Sequence, residues 1–152
     1  MNLFSHFRNF ETFCGDSINV KTVVDGFVDM IFADPPYFLS KGRTMRINGQ
    51  YKKFDKGVWD QEKPLAEINQ FNYNWLKACK DVLKPDGTIW VSGTYHNIFS
   101  VAICLQQLGF KILNIIVWQK SDPRPTLSTQ YFSFTAEYII WARKSSRHSH
   151  YF

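Results

Sequence analysis

Apolar side chains recur along this chain with two different periods. Ile68, Phe71, Trp75, Cys79 and Val82, with Leu76 and Leu83 beside them, come at three- and four-residue steps, the spacing of one face of an amphipathic helix. That helix is predicted to end at Lys84-Pro85-Asp86-Gly87, a turn sequence that feeds a strand over Thr88 to Ser92. Asn97 stands where it can cap a second helix through Leu108, with Val101, Leu105 and Leu108 facing inward and Gly109 as its stop. Val28 to Ala33 is a near-continuous apolar run, as expected of a strand buried on both faces of a parallel sheet. Glu11 to Asp16 reads as a short strand, after which Ser17 caps a brief helix through Val24 that Asp25-Gly26 stops. Lys111 to Gln119 and Glu137 to Ala142, joined by the Pro-, Ser- and Thr-rich loop Ser121 to Thr129, read as a hairpin. Alternating strands and helices predict an α/β sheet with helices on its faces, in which ligands gather beyond the carboxyl ends of the strands.

Composition narrows the setting. A chain of 152 residues, 45% hydrophobic and 20% charged, has the size and apolar content of one domain with its own core. Cys14, Cys79 and Cys104 are odd in number and widely spaced, which fits reduced core thiols rather than disulfides or a zinc site, and points to the cytoplasm. No leader pattern and no apolar run near the ~18 residues of a membrane span are visible, so no membrane association is expected. His6, His96, His148 and His150 lack ligand spacing, and no metal is expected. The net charge of +5 is concentrated in one place. Lys41, Arg43, Arg46, Lys52, Lys53 and Lys56 stand against one acid, Asp55, and the other twelve basic and twelve acidic side chains cancel. Residues 41–57, with three glycines and no regular period, read as a basic loop facing either solvent or nucleic acid phosphate.

That loop follows Asp34-Pro35-Pro36-Tyr37, which ends the Val28 to Ala33 strand. Two consecutive prolines have no N–H to donate and restrict both their own φ and the residue before them. The turn is therefore stiff and rich in acceptors. Asp34 and the Pro35 carbonyl suit the two N–H bonds of an amino group, and Tyr37 offers a ring for stacking. A planar ring with an exocyclic amine describes adenine or cytosine, which an enzyme reaches in a duplex by flipping the base out.

The segments "CGDSINV", "VDMIFADPPYFLS", "KGVWD", "VLKPDGTIWVSGTYHNIFSV", "GFKILNIIVWQKSDPRP" and "EYIIWARK" resemble the β-ordered N6-adenine DNA methyltransferases, most closely those acting on GATC, some of which act on single strands. The resemblance implies a Rossmann-like methyltransferase fold, methyl transfer from S-adenosylmethionine to adenine N6 in double- or single-stranded DNA, and a restriction-modification setting. It places Asp34, Pro35, Pro36 and Tyr37 at the catalytic centre, and Asp16 and Asp34 beside the cofactor. Trp118, Lys120 and Pro123 fall where the second wall of the base pocket forms, and the basic loop falls on DNA. Two family elements are missing from the pattern: a target-recognition region and a Phe-x-Gly-x-Gly cofactor motif. The expectation is a single, partial catalytic domain over residues 1–152, lacking part of the central sheet and associating with a complementing C-terminal half or with itself. Cytosine N4 methylation, glutamine methylation through a related Asn-Pro-Pro-Tyr turn, and an inactive nucleic-acid-binding remnant are the alternatives, with Asp34 favouring adenine and the basic loop disfavouring a peptide.

Overall fold

The path of the chain is that of a mixed sheet with helices packed on one face. The computed structural model describes residues 2–7, 10–24, 27–38, 44–47, 50–53, 60–123, 130 and 132–145. In chain order the elements are β1 (Asn2–Phe7), β2 (Phe10–Cys14), a 3₁₀ turn (Ser17–Thr22), β3 (Val28–Ala33), β4 (Thr44–Ile47), β5 (Gln50–Lys53), α1 (Leu65–Val82), β6 (Leu83–Gly93), α2 (Ile98–Gln107), β7 (Lys111–Gln119) and β8 (Ala136–Arg143). The main sheet has the order β3-β6-β8-β7, with β3 parallel to β6 and the other pairs antiparallel. β1 with β2, and β4 with β5, form separate antiparallel hairpins.

The 3.6-residue period of α1 turns Trp75, Leu76 and Cys79 onto the sheet, where they meet Ile89 and Val91 of β6, Ile140 and Ala142 of β8, and Val101 and Leu105 of α2. Leu76, Leu83, Ile89, Val91, Val101, Leu105 and Ala142 are fully buried. Burial of each large aliphatic side chain among them stabilises the fold by about 1.5–3 kcal/mol. Gly109, at φ 77°, ends α2 in the left-handed conformation that suits glycine, while the Phe110 amide closes back on the Leu105 carbonyl at 2.9 Å.

Several expectations change on contact with the structure. The Val28–Ala33 strand has the predicted bounds, but one face is open: Met30 is 58% and Phe32 60% exposed. Its period-two alternation puts Ile31 and Ala33 on the helix-covered face and these two on the other, and β6 is its sole partner among the described residues. Lys84-Pro85-Asp86-Gly87 falls inside β6 rather than before it; the β3 partners step from Leu83 to Thr88 across it, so the turn survives as an irregularity in the ladder. Asp16, not Ser17, caps the 3₁₀ turn, accepting the Ile18 amide at 3.0 Å, and the turn ends at Thr22. Asp25 and Gly26 lie outside the described residues. The basic segment is not a plain loop: Arg46, Lys52 and Lys53 lie on the β4–β5 hairpin, while Lys41, Arg43 and Lys56 lie outside the described residues. Cys14 is exposed; only Cys79 and Cys104 are buried thiols. No described helix is long and apolar enough to cross a membrane.

Burial pushes the Cys79 thiol up to about 12, and burial also raises Cys104. Thiolate, the reactive form, is therefore suppressed at both positions. Titration of the native protein with a thiol-specific chromophore at pH 8 should label Cys14 rapidly, with Cys79 and Cys104 reacting only on unfolding. Three equally fast thiols would contradict this packing.

Candidate active site

The turn at the carboxyl end of β3 is held by three separate sets of contacts. The first secures its amides. After the two prolines, the first available N–H groups belong to Tyr37 and Phe38, and both donate to one oxygen of Asp60, at 3.1 and 2.9 Å. Asp60 is 1% exposed, so its carboxylate is a buried clamp on the turn. Phe38 beyond it adopts φ 56°, a left-handed conformation unusual outside glycine. Its buried ring, edge-on to Phe71 of α1 at 5.4 Å, anchors that conformation.

The second set secures a carbonyl. The Asn97 amide donates to the Pro36 carbonyl at 2.9 Å. Asn97 in turn accepts from Asn72 at 2.6 Å, and Asn72 also donates to Ser100 at 2.9 Å and accepts from the Trp75 indole at 3.0 Å. Asn72 and Asn97 are fully buried, so this polar chain couples α1 and the start of α2 to the turn. Asn97 is thus no conventional helix cap: its side chain makes no cap bond and serves the turn instead.

The third set orients the Asp34 carboxylate. Its Oδ1 accepts the Tyr37 hydroxyl at 2.6 Å and the Ser92 hydroxyl at 2.6 Å. Ser92 is carried to that spot because β6 runs parallel to β3, so the ends of the two strands lie side by side. Oδ1 is thus engaged twice, while no hydrogen bond among the described residues ends on Oδ2. No hydrogen bond among the described residues ends on the Pro35 carbonyl, the second acceptor expected there. Tyr37 is half-buried, and burial, then its hydrogen bond to Asp34, pushes the phenol up to about 12. At neutral pH it is a proton-bearing donor that fixes Asp34, not a base.

Of the other residues singled out from sequence, Trp118 lies 60% exposed at the end of β7, opposite Glu137. Lys120 pairs with Glu137 at 2.5 Å, and the negative charge of Glu137 is felt at Tyr37. No hydrogen bond or ion pair among the described residues joins Trp118 or Lys120 to the Asp34–Tyr37 turn itself. Pro123 is half-buried, and residues 124–129 lie outside the described set. Asp16 is exposed, next to Ser17, which lines a cleft of about 500 Å³ together with Asp34, Pro35 and Pro36. That cleft runs the length of β3, from Val28 to Ala33, with Phe71, Trp75, Cys79 and Val82 of α1 along it. Apart from Ser17 and Asp34 its lining is apolar. Ser92, Asp60, Asn72 and Asn97 were not singled out as site residues from sequence. Asn72 carried a visible signal, a polar residue on the apolar face of α1; Asp60 closes the KGVWD segment of the resemblance, but its clamp on Phe38, 22 residues away, has no local pattern.

A family model described as DNA methylase matches residues 28–152. The Type II methyltransferase M2.DpnII of Streptococcus pneumoniae is 52% identical over 126 residues, 82% of this chain and 47% of that protein. M2.MboI of Moraxella bovis, also a Type II methyltransferase, is 46% identical over 146 residues, 95% of this chain and 54% of that protein. The chain spans about half the length of the curated relatives it matches. Among solved structures, M1.HpyAVI shares the fold, with a TM-score of 0.56 at 21% identity over 88% of this chain and 54% of that one.

Asn97→Ala leaves the Pro36 carbonyl without its Asn97 donor, while the Asn72 amide keeps Ser100 as an acceptor. It should destabilise the chain by about 1–3 kcal/mol, the cost of one buried polar group left unpaired. Urea unfolding of this variant against Ser17→Ala, a change at an exposed position, measures it; equal midpoints would remove the buried chain from the account of the site.

Proposed function

The chain belongs to the N6 and N4 DNA methylase family, and from that premise we propose that it carries the catalytic half of an adenine-specific enzyme. Its reaction is methylation of adenine N6 in DNA, in a GATC context and a restriction-modification setting in the cytoplasm. The observation that carries this reading is the geometry of Asp34: one oxygen fixed by two hydroxyls, the other open, beside the Pro35 carbonyl at the end of a rigid turn.

An amino group entering there gives one hydrogen to Asp34 and one to Pro35, which turns its lone pair away from the ring. Positive charge develops on that nitrogen as the new bond forms, so fixed acceptors stabilise the transition state more than the ground state. Tyr37 and Ser92 keep the carboxylate from rotating out of that position. S-Adenosylmethionine supplies the methyl group in this family. The residues present fit one side of it, because Asp16 puts a carboxylate near the cleft for one of its amines and Asp34 lines the cleft where the methyl group would meet the target nitrogen. The remaining contacts fall to polypeptide beyond these elements. The apolar groove along the unpaired side of β3 suits a further strand, supplied by a complementing half or a second copy of the chain. The basic stretch from Lys41 to Lys56 supplies phosphate contacts.

Two outcomes are expected. Labelled methyl transfer into GATC-containing DNA, by the 152-residue chain mixed with a polypeptide spanning the other half of M2.DpnII, should yield N6-methyladenine. Asp34→Ala should lower the rate about a hundredfold or more. N4-methylcytosine as product, or transfer indifferent to Asp34, would overturn the assignment. Binding of the same DNA should weaken steeply with salt, with a log–log slope approaching about −5 for a duplex if all six basic residues contact phosphate. A slope near zero would remove that segment from the interface.

A further inference from the structure

Three aromatic rings lie in a column at the rim of the site. The His96 ring is 3.7 Å from Tyr95 with an interplanar angle of 36°, and the Tyr95 ring is 3.8 Å from Phe134, nearly parallel at 11°. Two rings so near one centroid cannot share the same face of it, so Tyr95 is the middle ring and the other two are the ends. The Tyr95–Phe134 separation is shorter than the 4.5–7 Å common between aromatic side chains and leaves the rings overlapped face to face.

Two independent connections set this column beside the reacting centre. Tyr95 and His96 belong to the short link between β6 and α2, and both ends of that link hold the Asp34–Tyr37 turn: Ser92 bonds Asp34 at 2.6 Å and Asn97 bonds the Pro36 carbonyl at 2.9 Å. Phe134 lies next to Thr135, whose carbonyl accepts the Lys120 amide at 2.8 Å. Glu137, two residues further, bears electrostatically on Tyr37. The column therefore sits between the link and the segment leading into β8.

The rim around the column keeps apolar rings in contact with solvent. Phe134 keeps 51% of its surface exposed and nearby Phe132 96%, while Trp118 on the same sheet end is 60% exposed. Apolar rings gathered at one rim mark a contact surface. Flipping a base out of a strand breaks its stacks with both neighbours, and a planar ring beside the pocket can replace one of them. We propose that the His96–Tyr95–Phe134 column is a stacking platform for the nucleobase adjacent to the target adenine. The platform rests on the DNA methylase reading. It does not read sequence, because every base presents a π face.

The test uses a GATC oligodeoxynucleotide carrying 2-aminopurine either at the target adenine or at one of its two neighbours, with the fluorescence followed as the 152-residue chain is added. One neighbouring position should be quenched by stacking. Phe134→Ala and Tyr95→Ala should each abolish that quenching and weaken binding roughly five- to a hundredfold. Tyr95→Phe, which keeps the ring, should preserve both and so separates lost stacking from lost folding. Binding with neither neighbour quenched, or quenching that survives Phe134→Ala, overturns the platform alone. Failure of the wild-type chain to bind the oligonucleotide, both alone and mixed with the other half of M2.DpnII, overturns the platform together with the proposed adenine methylation in DNA; bound but unmethylated DNA leaves the platform standing.

Discussion

The site depends on one buried carboxylate. Asp60 receives the two amides that follow the proline pair, and without that anchor those two donors lose their shared acceptor inside the protein. Two prolines remove the donors that would ordinarily brace a turn from within. The brace comes from outside instead, with Asp60 on one side and Asn97 on the other. Phe38 shows the resulting constraint: a bulky residue occupies a left-handed conformation while buried against Phe71. A backbone held in an uncommon conformation by several independent contacts is characteristic of a reacting centre.

Much of this was legible in the sequence because it rested on periodicity. The faces of α1 and α2, the bounds of β3 and β7, and the antiparallel pairing of β7 with β8 follow from spacing that reports directly which side chains turn inward. The Asp34–Tyr37 turn was legible because proline chemistry is local. What escaped was everything made by distant partners. Asp60 reaches Phe38 across 22 residues and Asn97 reaches Pro36 across 61, and no local period encodes either contact. Asn97 was read as a cap because asparagine before a helix ordinarily caps it; tertiary demand from the Pro36 carbonyl outweighed that preference. Burial of β3 on both faces failed for a related reason, since an apolar run shows that a strand wants cover and not which elements supply it.

The same sheet explains why the site is unfinished on one side. Helices α1 and α2 build a dry core against Ile89, Val91, Ile140 and Ala142, while the alternate residues Met30 and Phe32 face away from it, exposed. One face of the sheet is thus covered, while the other keeps apolar side chains whose burial would be worth about 25 cal/mol per Å². The cleft beside β3 ends at Asp34-Pro35-Pro36, so the edge of the sheet and the turn share one lining.

On that open face Trp90 and Trp141 sit directly across from one another on β6 and β8, their rings stacked at 4.9 Å and 15°. Two indoles this close do not absorb light independently: their transition dipoles couple, and the sign of the resulting circular dichroism couplet follows the twist between the strands that carry them. The protein thus contains its own optical gauge of sheet geometry, placed on the face opposite α1 and α2 and read without any label.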